Sequence, residues 1–328
     1  MGKDEIITVA AMATLAVSQL EKTLISFCYV QQQTSRQGED SLDICEIIAS
    51  ILVAFRSNGE VIRLMMEMIL LLGSVSNSHL PGSARRRSST KAKDVTQAIL
   101  LSSNPNILVS TSLLIAMEDI PQHSAFAFRA KLLQVQLHVL VQDMMEFHVA
   151  DVSILTLGCE CLAMMASDDV GAKAVGEDEE VCMIVCNVLR ASLNKEQHLE
   201  SIVSKAIGNI ARYNFNTLLL AENGVCEMLV ESLKAYYTVS ASHVKDVCLS
   251  IAYLCRFNLT NKISLATCGA CKIIHECFIL YISNESVIPS VMYAIVALSH
   301  QNKYNLQQFS ALGVTDFILE QSNTITNN

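Results

Sequence analysis

Tryptophan is absent from the 328-residue chain, and proline (4 residues) and glycine (12 residues) are scarce. Because an all-β chain of many short strands needs frequent turn residues, this scarcity argues against a β-sandwich or a barrel. Charged residues make up only 17% of the sequence and hydrophobic residues 51%, which excludes disorder over most of the chain. Leu, Ala, Met and Glu are good helix formers, so the composition predicts an all-α protein.

Basic residues are also in the minority, since 23 Lys and Arg stand against 32 Asp and Glu and give a formal net charge of −9. A general nucleic-acid-binding protein usually carries a basic excess, so this class is not expected. The twelve cysteines are scattered through amphipathic segments, and Asp4 and Glu5 stand where a secretory signal needs positive charge. We therefore expect reduced thiols in a cytoplasmic protein without a membrane span, and a nuclear location also stays open.

The second half of the chain repeats itself. Three eight-residue segments align without gaps, and their first residues are 44 positions apart: Ile207, Ile251 and Ile295. Each is followed by a glycine that opens an apolar stretch: Gly224, Gly269 and Gly313. An asparagine stands eight residues before each glycine: Asn216, Asn261 and Asn305. This period predicts a long helix, a turn, a short helix and a glycine corner into a third helix.

The three asparagines predict a cap for each short helix, because an Asn side chain can accept hydrogen bonds from the free amides of a first turn. A fourth copy of the unit lies one period earlier in the chain. There Glu180 stands at the glycine position and Ala172 at the asparagine position. We therefore expect this copy to lack its cap.

The segment Ala206-Ile-Gly-Asn209-Ile-Ala211, followed by Asn216 and Gly224-Val225, resembles the armadillo repeat, the three-helix unit of β-catenin and importin-α. The resemblance covers roughly residues 150 to 320. It implies an all-α, right-handed superhelix (solenoid) of armadillo-like three-helix repeats. It also implies a non-enzymatic scaffold that binds an extended or helical partner segment on its concave face.

The resemblance further places candidate binding residues on the third helix of each unit, which lines the groove in this family. The asparagine-bearing position of the four units is occupied by Met164, Asn209, Tyr253 and Ala297. The position one helical turn earlier is occupied by Glu160, Lys205, Leu249 and Tyr293. An Asn amide can both donate to and accept from a peptide backbone. Importin-α pairs that asparagine with a tryptophan, which this chain lacks, so binding of a conventional nuclear localisation signal is not expected.

A basic row follows on the same helices: Arg212, Arg256 and His300. Two interpretations stay open for it. Positive charge at a helix C-terminus is favoured by the helix dipole alone. Otherwise the row is a basic strip for an acidic peptide segment.

The chain is predicted to have three parts: N-terminal helices over 1–72, a flexible basic Ser-rich loop over 73–94, and the repeat array over 95–328, clearest over 155–320. The first part is either a degenerate repeat or a cap, with helices at 51–55 and 61–72 around an Asn58-Gly59 turn. In the loop, three arginines precede hydroxyl residues that a basophilic kinase would accept: Ser88, Ser89 and Thr90. Phosphorylation, a nuclear signal and an unmodified linker stay open. An alternative function, a cargo adaptor or small-GTPase regulator of armadillo type, would be regulated through this loop.

No motif for catalysis stands out. Cys268, Cys271 and His275 combine thiol and imidazole groups that suit zinc, but cysteine occupies the place of Cys271 in two other units, which favours a packing role. We therefore expect no enzyme, no cofactor and no metal site. The expected partners are other proteins, held in the groove or at the C-terminal end, where Phe317 and Ile318 would be partly uncovered.

Overall fold

The computed structural model describes residues 44–75 and 125–314. Internal contacts divide the chain into two units, Met1–Lys131 and Leu132–Asn328. All regular structure in the described residues is helical and comprises fifteen helices, numbered α1 to α15, without a strand. The prediction of an all-α chain is confirmed.

In the first unit, α1 (Ile44–Ala54) and α2 (Gly59–Val75) pack against each other around buried apolar side chains. Asn58 separates the two helices as predicted, and its side-chain oxygen accepts from the backbone N–H of Glu60 at 3.2 Å, which caps α2. Residues 73–75, predicted to begin the basic loop, belong to α2 instead. The remainder of that loop, including Ser88, Ser89 and Thr90, lies outside the described residues, as do Phe317 and Ile318.

The second unit is a regular array. Helix α3 (Ala125–Gln134) spans the boundary between the two units in the sequence, and α4 (Leu137–Phe147) and α5 (Val152–Met165) follow it. Helix α5 occupies the place of a third helix. Three complete repeats come next, each with a first, a second and a third helix: α6 to α8 (Asp169–Gly176, Glu179–Ser192, Gln197–Ile210), α9 to α11 (Asn216–Glu222, Val225–Tyr236, Ala241–Cys255) and α12 to α14 (Leu259–Thr267, Ala270–Tyr281, Ile288–Ser299). Helix α15 (Lys303–Ala311) opens a further repeat.

Glycine makes the corner between a first and a second helix. Gly224 has φ 80° and Gly269 has φ 93°, the left-handed conformation that the sequence predicts and that residues with a Cβ adopt at a cost. The α6 to α8 repeat has no glycine at this corner. There Asp178 adopts an ordinary extended conformation, and its carboxylate caps α7 by accepting from the N–H of Glu180 at 3.0 Å.

The capping role predicted for the three asparagines is wrong. The caps of α12 and α15 are Asn258 and Asn302, whose side chains accept from the backbone N–H three residues later, at 3.1 Å in both cases. The predicted residues are instead buried inside the repeat, and each side-chain amide donates to two backbone carbonyls. One acceptor ends the preceding third helix and the other belongs to the preceding first helix: Ile210 and Ala172 for Asn216, Leu254 and Thr217 for Asn261, and Leu298 and Lys262 for Asn305. We call these three residues the asparagine ladder.

The ladder also corrects the alignment of the α6 repeat. Each acceptor in a first helix directly follows the ladder position, so the residue in α6 that corresponds to Asn216 is Gly171, not Ala172. A Cβ atom at Gly171 would lie 2.0 Å from the carbonyl oxygen of Met165, so no side chain fits there. The cap predicted to be missing is present, because Asp168 accepts from the N–H of Gly171 at 2.9 Å.

The third helices α5, α8, α11 and α14 pack side by side. Gly208 of α8 lets α11 approach closely, since a Cβ atom there would lie 2.4 Å from Oγ of Ser250. That hydroxyl donates to the carbonyl of Ser204 at 2.6 Å. Within the described residues, no single helix has the length and hydropathy to cross a membrane, and the α12 and α13 pair that would pass such a test together is bent by 77°.

Candidate functional site

The exposed sides of α5, α8, α11 and α14 form one continuous surface, which we call the third-helix face. Asn209 of α8 lies on it and is half-buried, as expected from its position in the repeat. Its amide nitrogen donates to the carbonyl of Ala163 on α5 at 2.7 Å. Its side-chain oxygen accepts no hydrogen bond from any described residue, so one acceptor stays open on this face.

Four of the predicted residues form a cluster on this face, which we call the Arg–Tyr cluster: Arg212, Tyr253, Arg256 and Tyr293. Tyr253 of α11 is at its centre, because both guanidinium carbons lie 5.2 Å from its ring centroid. Nη1 of Arg212 donates to the Tyr253 hydroxyl at 3.0 Å, and the ring of Tyr293 meets that of Tyr253 edge-on at 5.8 Å. Such contacts between cations and aromatic rings stabilise a fixed arrangement of the two arginines.

The two arginines also join neighbouring repeats. Nη2 of Arg256 donates to the backbone carbonyl of Arg212 at 2.7 Å, which satisfies the C-terminal end of the preceding third helix. Nε of Arg212 lies 3.4 Å from a carboxylate oxygen of Asp169, which is itself largely exposed. Among the described residues, the Asp169 carboxylate pairs with Arg212 and no carboxylate pairs with Arg256, so the cluster carries a net positive charge.

Other predicted residues lie on the third-helix face without joining the cluster. Glu160, Met164 and Leu249 are half-buried, Lys205 and His300 are exposed, and Ala297 is buried. Near Lys205, burial raises the pKa of the Asp246 carboxyl, although Ser201 donates to it at 3.0 Å. Here one lysine stands beside one carboxyl group, whereas the Arg–Tyr cluster has two arginines beside one carboxylate.

A buried polar network was missed by the sequence analysis. It connects three helices through Glu200 of α8, Ser232 and Tyr236 of α10, and His243 of α11. The Ser232 hydroxyl donates to the Glu200 carboxylate at 2.5 Å and lies 3.0 Å from Nε2 of His243, and the Tyr236 hydroxyl donates to the other carboxylate oxygen at 3.3 Å. The one available signal was a glutamate at an apolar position of the α8 pattern.

Serine, histidine and a carboxylate are also the components of nucleophilic catalysis, but the network has the wrong geometry for it. The carboxylate of Glu200 bonds to the serine instead of orienting the histidine. Glu200, Ser232 and His243 all have no solvent exposure, so a substrate has no access. Burial lowers the pKa of His243 to about 4, which keeps the imidazole neutral at neutral pH. The network is structural.

The cysteines take part in packing. Among the described cysteines, ten are buried and Cys268 is half-buried, and none is in a disulfide. Burial raises the pKa of Cys271 to about 11, so its thiol stays protonated at neutral pH. The described residues contain no group of three or more metal-ligating side chains placed to hold an ion.

Comparison with known proteins gave matches by structure only. No family model and no curated protein sequence matches the chain. A designed armadillo repeat protein in complex with the peptide (KR)4 is similar over 67% of this chain and 88% of its own, with a TM-score of 0.50 and 19% identity. A second designed armadillo repeat protein matches over 78% of this chain and all of its own, with a TM-score of 0.46 and 16% identity.

A natural protein is also among the similar structures. A chain from a study of the interaction between cadherin and β-catenin matches 94% of this chain and 63% of its own length, with a TM-score of 0.37 and 12% identity. At these identities the similarity concerns the fold alone. The match with a TM-score of 0.50, together with the three-helix units, the left-handed glycine corners and the stacked third helices, shows that this protein has an armadillo-like repeat fold.

Proposed function

We propose that this protein is a non-enzymatic scaffold whose third-helix face binds an extended peptide segment of another protein. The observation that carries the proposal is the Arg–Tyr cluster, in which Tyr253 holds two guanidinium groups at the surface. A rigid aromatic centre with cations on it offers a preorganised contact for a peptide, and Arg and Tyr are the residues enriched at binding hot spots.

The polar groups beside the cluster suit a peptide backbone. The open side-chain oxygen of Asn209 can accept from a peptide N–H, while the amide nitrogen stays bound to Ala163 and fixes its orientation. An extended segment exposes its N–H groups to one side at every second residue, so one such acceptor sets the position of the chain. The surface then contacts the backbone at Asn209 and side chains at the cluster.

The charge of the cluster favours an acidic segment. The Asp169 carboxylate pairs with Arg212, and no described carboxylate pairs with Arg256, so a carboxylate from a partner gains charge-assisted hydrogen bonds there. The designed armadillo repeat protein with the (KR)4 peptide supports peptide binding by this fold, and its ligand has the opposite charge. We therefore expect the ligand preference of this chain to be set by its own arginines.

The test is selection of a random peptide library on the full-length chain, followed by affinity measurement of the selected peptides by fluorescence anisotropy. We expect the selected peptides to be rich in Asp and Glu. The Tyr253→Ala variant should bind them about tenfold more weakly or worse, equivalent to about 1.4 kcal/mol.

Tyr281→Ala is the matched control, because Tyr281 is also half-buried but lies on the second helix α13. Its hydroxyl bridges repeats as well, by donating to the carbonyl of Tyr237 at 2.7 Å. Equal weakening by the two variants, or none by either, would refute binding at the third-helix face.

A further inference from the structure

The first helices of the repeats expose large apolar side chains to solvent. Six of them are more than half exposed: Val170 in α6, Phe215 directly before α9, Leu218 in α9, Leu259 and Ile263 in α12, and Tyr304 in α15. We call this set the first-helix ridge. The same helices also bury apolar residues on the opposite side, such as Leu220, Leu265 and Phe309.

This pattern is unusual for the outer helices of a protein. A surface helix normally has one apolar side that packs on the core and one polar side that faces water. Helices that are apolar on both sides are normally covered on both. The ridge is therefore a candidate docking surface rather than ordinary solvent-facing structure.

The asparagine ladder makes the ridge continuous, because its hydrogen bonds hold neighbouring first helices in one register. Residues just before the ladder position form one row across the four helices: Val170, Phe215, Thr260 and Tyr304. Residues two places after it form a second row: Lys173, Leu218, Ile263 and Gln307. The rows are three residues apart and so share a helix face.

The length of the ridge fits a helix. Packed helices lie about 10 Å apart, so four of them present about 30 Å of surface, which is the length of a helix of about 20 residues. The two rows are separated by one helical turn and carry a large apolar side chain at five of their eight positions. An amphipathic helix can contact such rows with apolar residues spaced three and four apart.

Charge selects among the possible occupants. The α6 end of the ridge is net negative, because Asp168, Asp169 and Glu177 stand against one exposed lysine, Lys173, which lies 3.6 Å from Glu177. Basic groups lie beside α12 and α15. There the Arg256 guanidinium lies 4.8 Å from the ring centroid of Phe257, and Lys303 is exposed. The formal net charge of −9 disfavours both a second copy of this chain and an anionic membrane as the occupant.

We propose that the first-helix ridge docks an amphipathic α-helix of another protein, with the acidic end of that helix over α12 and α15. This surface is separate from the third-helix face. Its apolar residues are not part of the Arg–Tyr cluster, although Asp169 and Arg256 border both surfaces. The variants that test the ridge change neither of these two residues, so the two proposals succeed or fail separately.

The probe is a synthetic amphipathic helical peptide with a leucine stripe, glutamates in one terminal half and neutral polar residues elsewhere, titrated into the full-length chain by fluorescence anisotropy. We expect saturable binding that Ile263→Ser weakens about tenfold. Ile279→Ser is a closely matched control, because Ile279 is 53% exposed on α13 and Ile263 is 54% exposed on α12. Circular dichroism establishes that both variants are folded.

A second pair of variants tests the charge. Lys303→Glu should weaken binding of the glutamate peptide and strengthen binding of a version with lysines in its place, whereas Lys272→Glu, exposed on α13, should change neither. Asn209→Ala removes the proposed backbone contact on the third-helix face without altering a contact of Arg256, and it should leave this binding intact, which separates it from the proposed peptide site.

Several outcomes would overturn the proposal. They are absence of saturable binding, equal loss in Ile263→Ser and Ile279→Ser, and equal affinity for the glutamate and lysine peptides. Two further outcomes would assign the ridge to a different occupant, and the first is measured by sedimentation of the chain alone. Self-association that Ile263→Ser abolishes would assign the ridge to a second copy, and binding to anionic vesicles lost in the same variant would assign it to a membrane.

Discussion

At the scale of single residues, one side-chain amide joins three helices at each step of the asparagine ladder. Asn261 belongs to α12, and it donates to the carbonyl of Leu254 in α11 at 2.9 Å and of Thr217 in α9 at 3.0 Å. The site is buried, so water cannot replace either bond. A buried polar group left without its partner costs about 1–3 kcal/mol.

We therefore expect Asn261→Ala to lower the free energy of unfolding by about 2 kcal/mol, measured by urea denaturation monitored by circular dichroism. Asn187→Ala is the control, since Asn187 is exposed on α7 and accepts only from Arg190. A surface change of this kind costs less than about 0.5 kcal/mol. Similar losses in both variants would show that the ladder bonds contribute little.

The positions of the ladder could be predicted from the sequence, but their role could not. Repeat spacing shows that Asn261 is special without showing whether its side chain bonds forward to free amides or backward to carbonyls. The structure shows that the neighbouring Asn258 accepts from the free backbone amide at the start of α12, so the capping role expected of Asn261 is already filled. The same holds for Asn209, where half of the amide expected to bind a peptide is occupied by Ala163.

At the scale of helices, the buried network holds α8, α10 and α11 together through one neutral histidine. When Nε2 of His243 donates to the Ser232 hydroxyl, that hydroxyl donates to Glu200, and the three groups form one chain of hydrogen bonds. Nδ1 of His243 is buried without a hydrogen-bond partner. A proton added there would place an unpaired donor and a positive charge in the core.

This arrangement makes stability depend on pH. Burial lowers the pKa of His243 to about 4 from its ordinary value of 6.5, so between these values the unfolded chain binds a proton that the folded chain does not. Stability from this group is complete above pH 6.5 and falls as the pH is lowered, by up to about 3 kcal/mol.

The comparison that isolates this effect uses the loss of unfolding free energy between pH 7 and pH 5. We expect that loss to be smaller in His243→Gln than in the unaltered chain, because glutamine does not titrate. His198→Gln, at an exposed position of α8, is the control and should keep the full loss. If His243→Gln keeps it too, other groups carry the acid sensitivity.

The sequence could indicate only one member of this network, the glutamate at an apolar position of α8. Glu200 interrupts the apolar pattern of α8, yet its partner Ser232 is 32 residues away. Helical periodicity shows which side of one helix faces the core, but not which residues of two other helices meet it there. The Arg–Tyr cluster differs in this respect, because its two arginines recur at repeat spacing and its two tyrosines occupy positions of the third helices that the repeat alignment had singled out.

At the scale of the whole array, each repeat is held by its neighbours, so a local change should spread over one repeat and stop. Hydrogen exchange followed by mass spectrometry tests this. Asn261→Ala should speed amide exchange in α9 and α12, whose contact it removes. Asn305→Ala should speed exchange in α12 and α15 and leave α9 unchanged. Faster exchange throughout all three repeats in either variant would indicate a single cooperative unit.

The composition was sufficient to predict the helical class, and the 44-residue period predicted the three-helix unit, because corner glycines and apolar helices recur together. The armadillo-like repeat was predicted from the resemblance of one unit to the motif of that family. In the α6 repeat the alignment was one residue out at the ladder position and two residues out at the corner. That repeat has Asp178 and Gly171 where the others have a glycine corner and a ladder asparagine, so the landmarks used for alignment are missing. The first-helix ridge was also missed, since apolar residues in a repeat are normally assigned to the core.

The asparagine ladder also gives the array a chemical direction. Every amide donates to the repeat before it, and every first helix offers a carbonyl to the repeat after it. A boundary made by deleting the following repeat exposes a carbonyl, which a water molecule can satisfy. A boundary made by deleting the preceding repeat leaves the side-chain amide of a ladder asparagine, which is buried in the intact array, without its acceptors. Recombined arrays should therefore tolerate a new C-terminal boundary at these units better than a new N-terminal one.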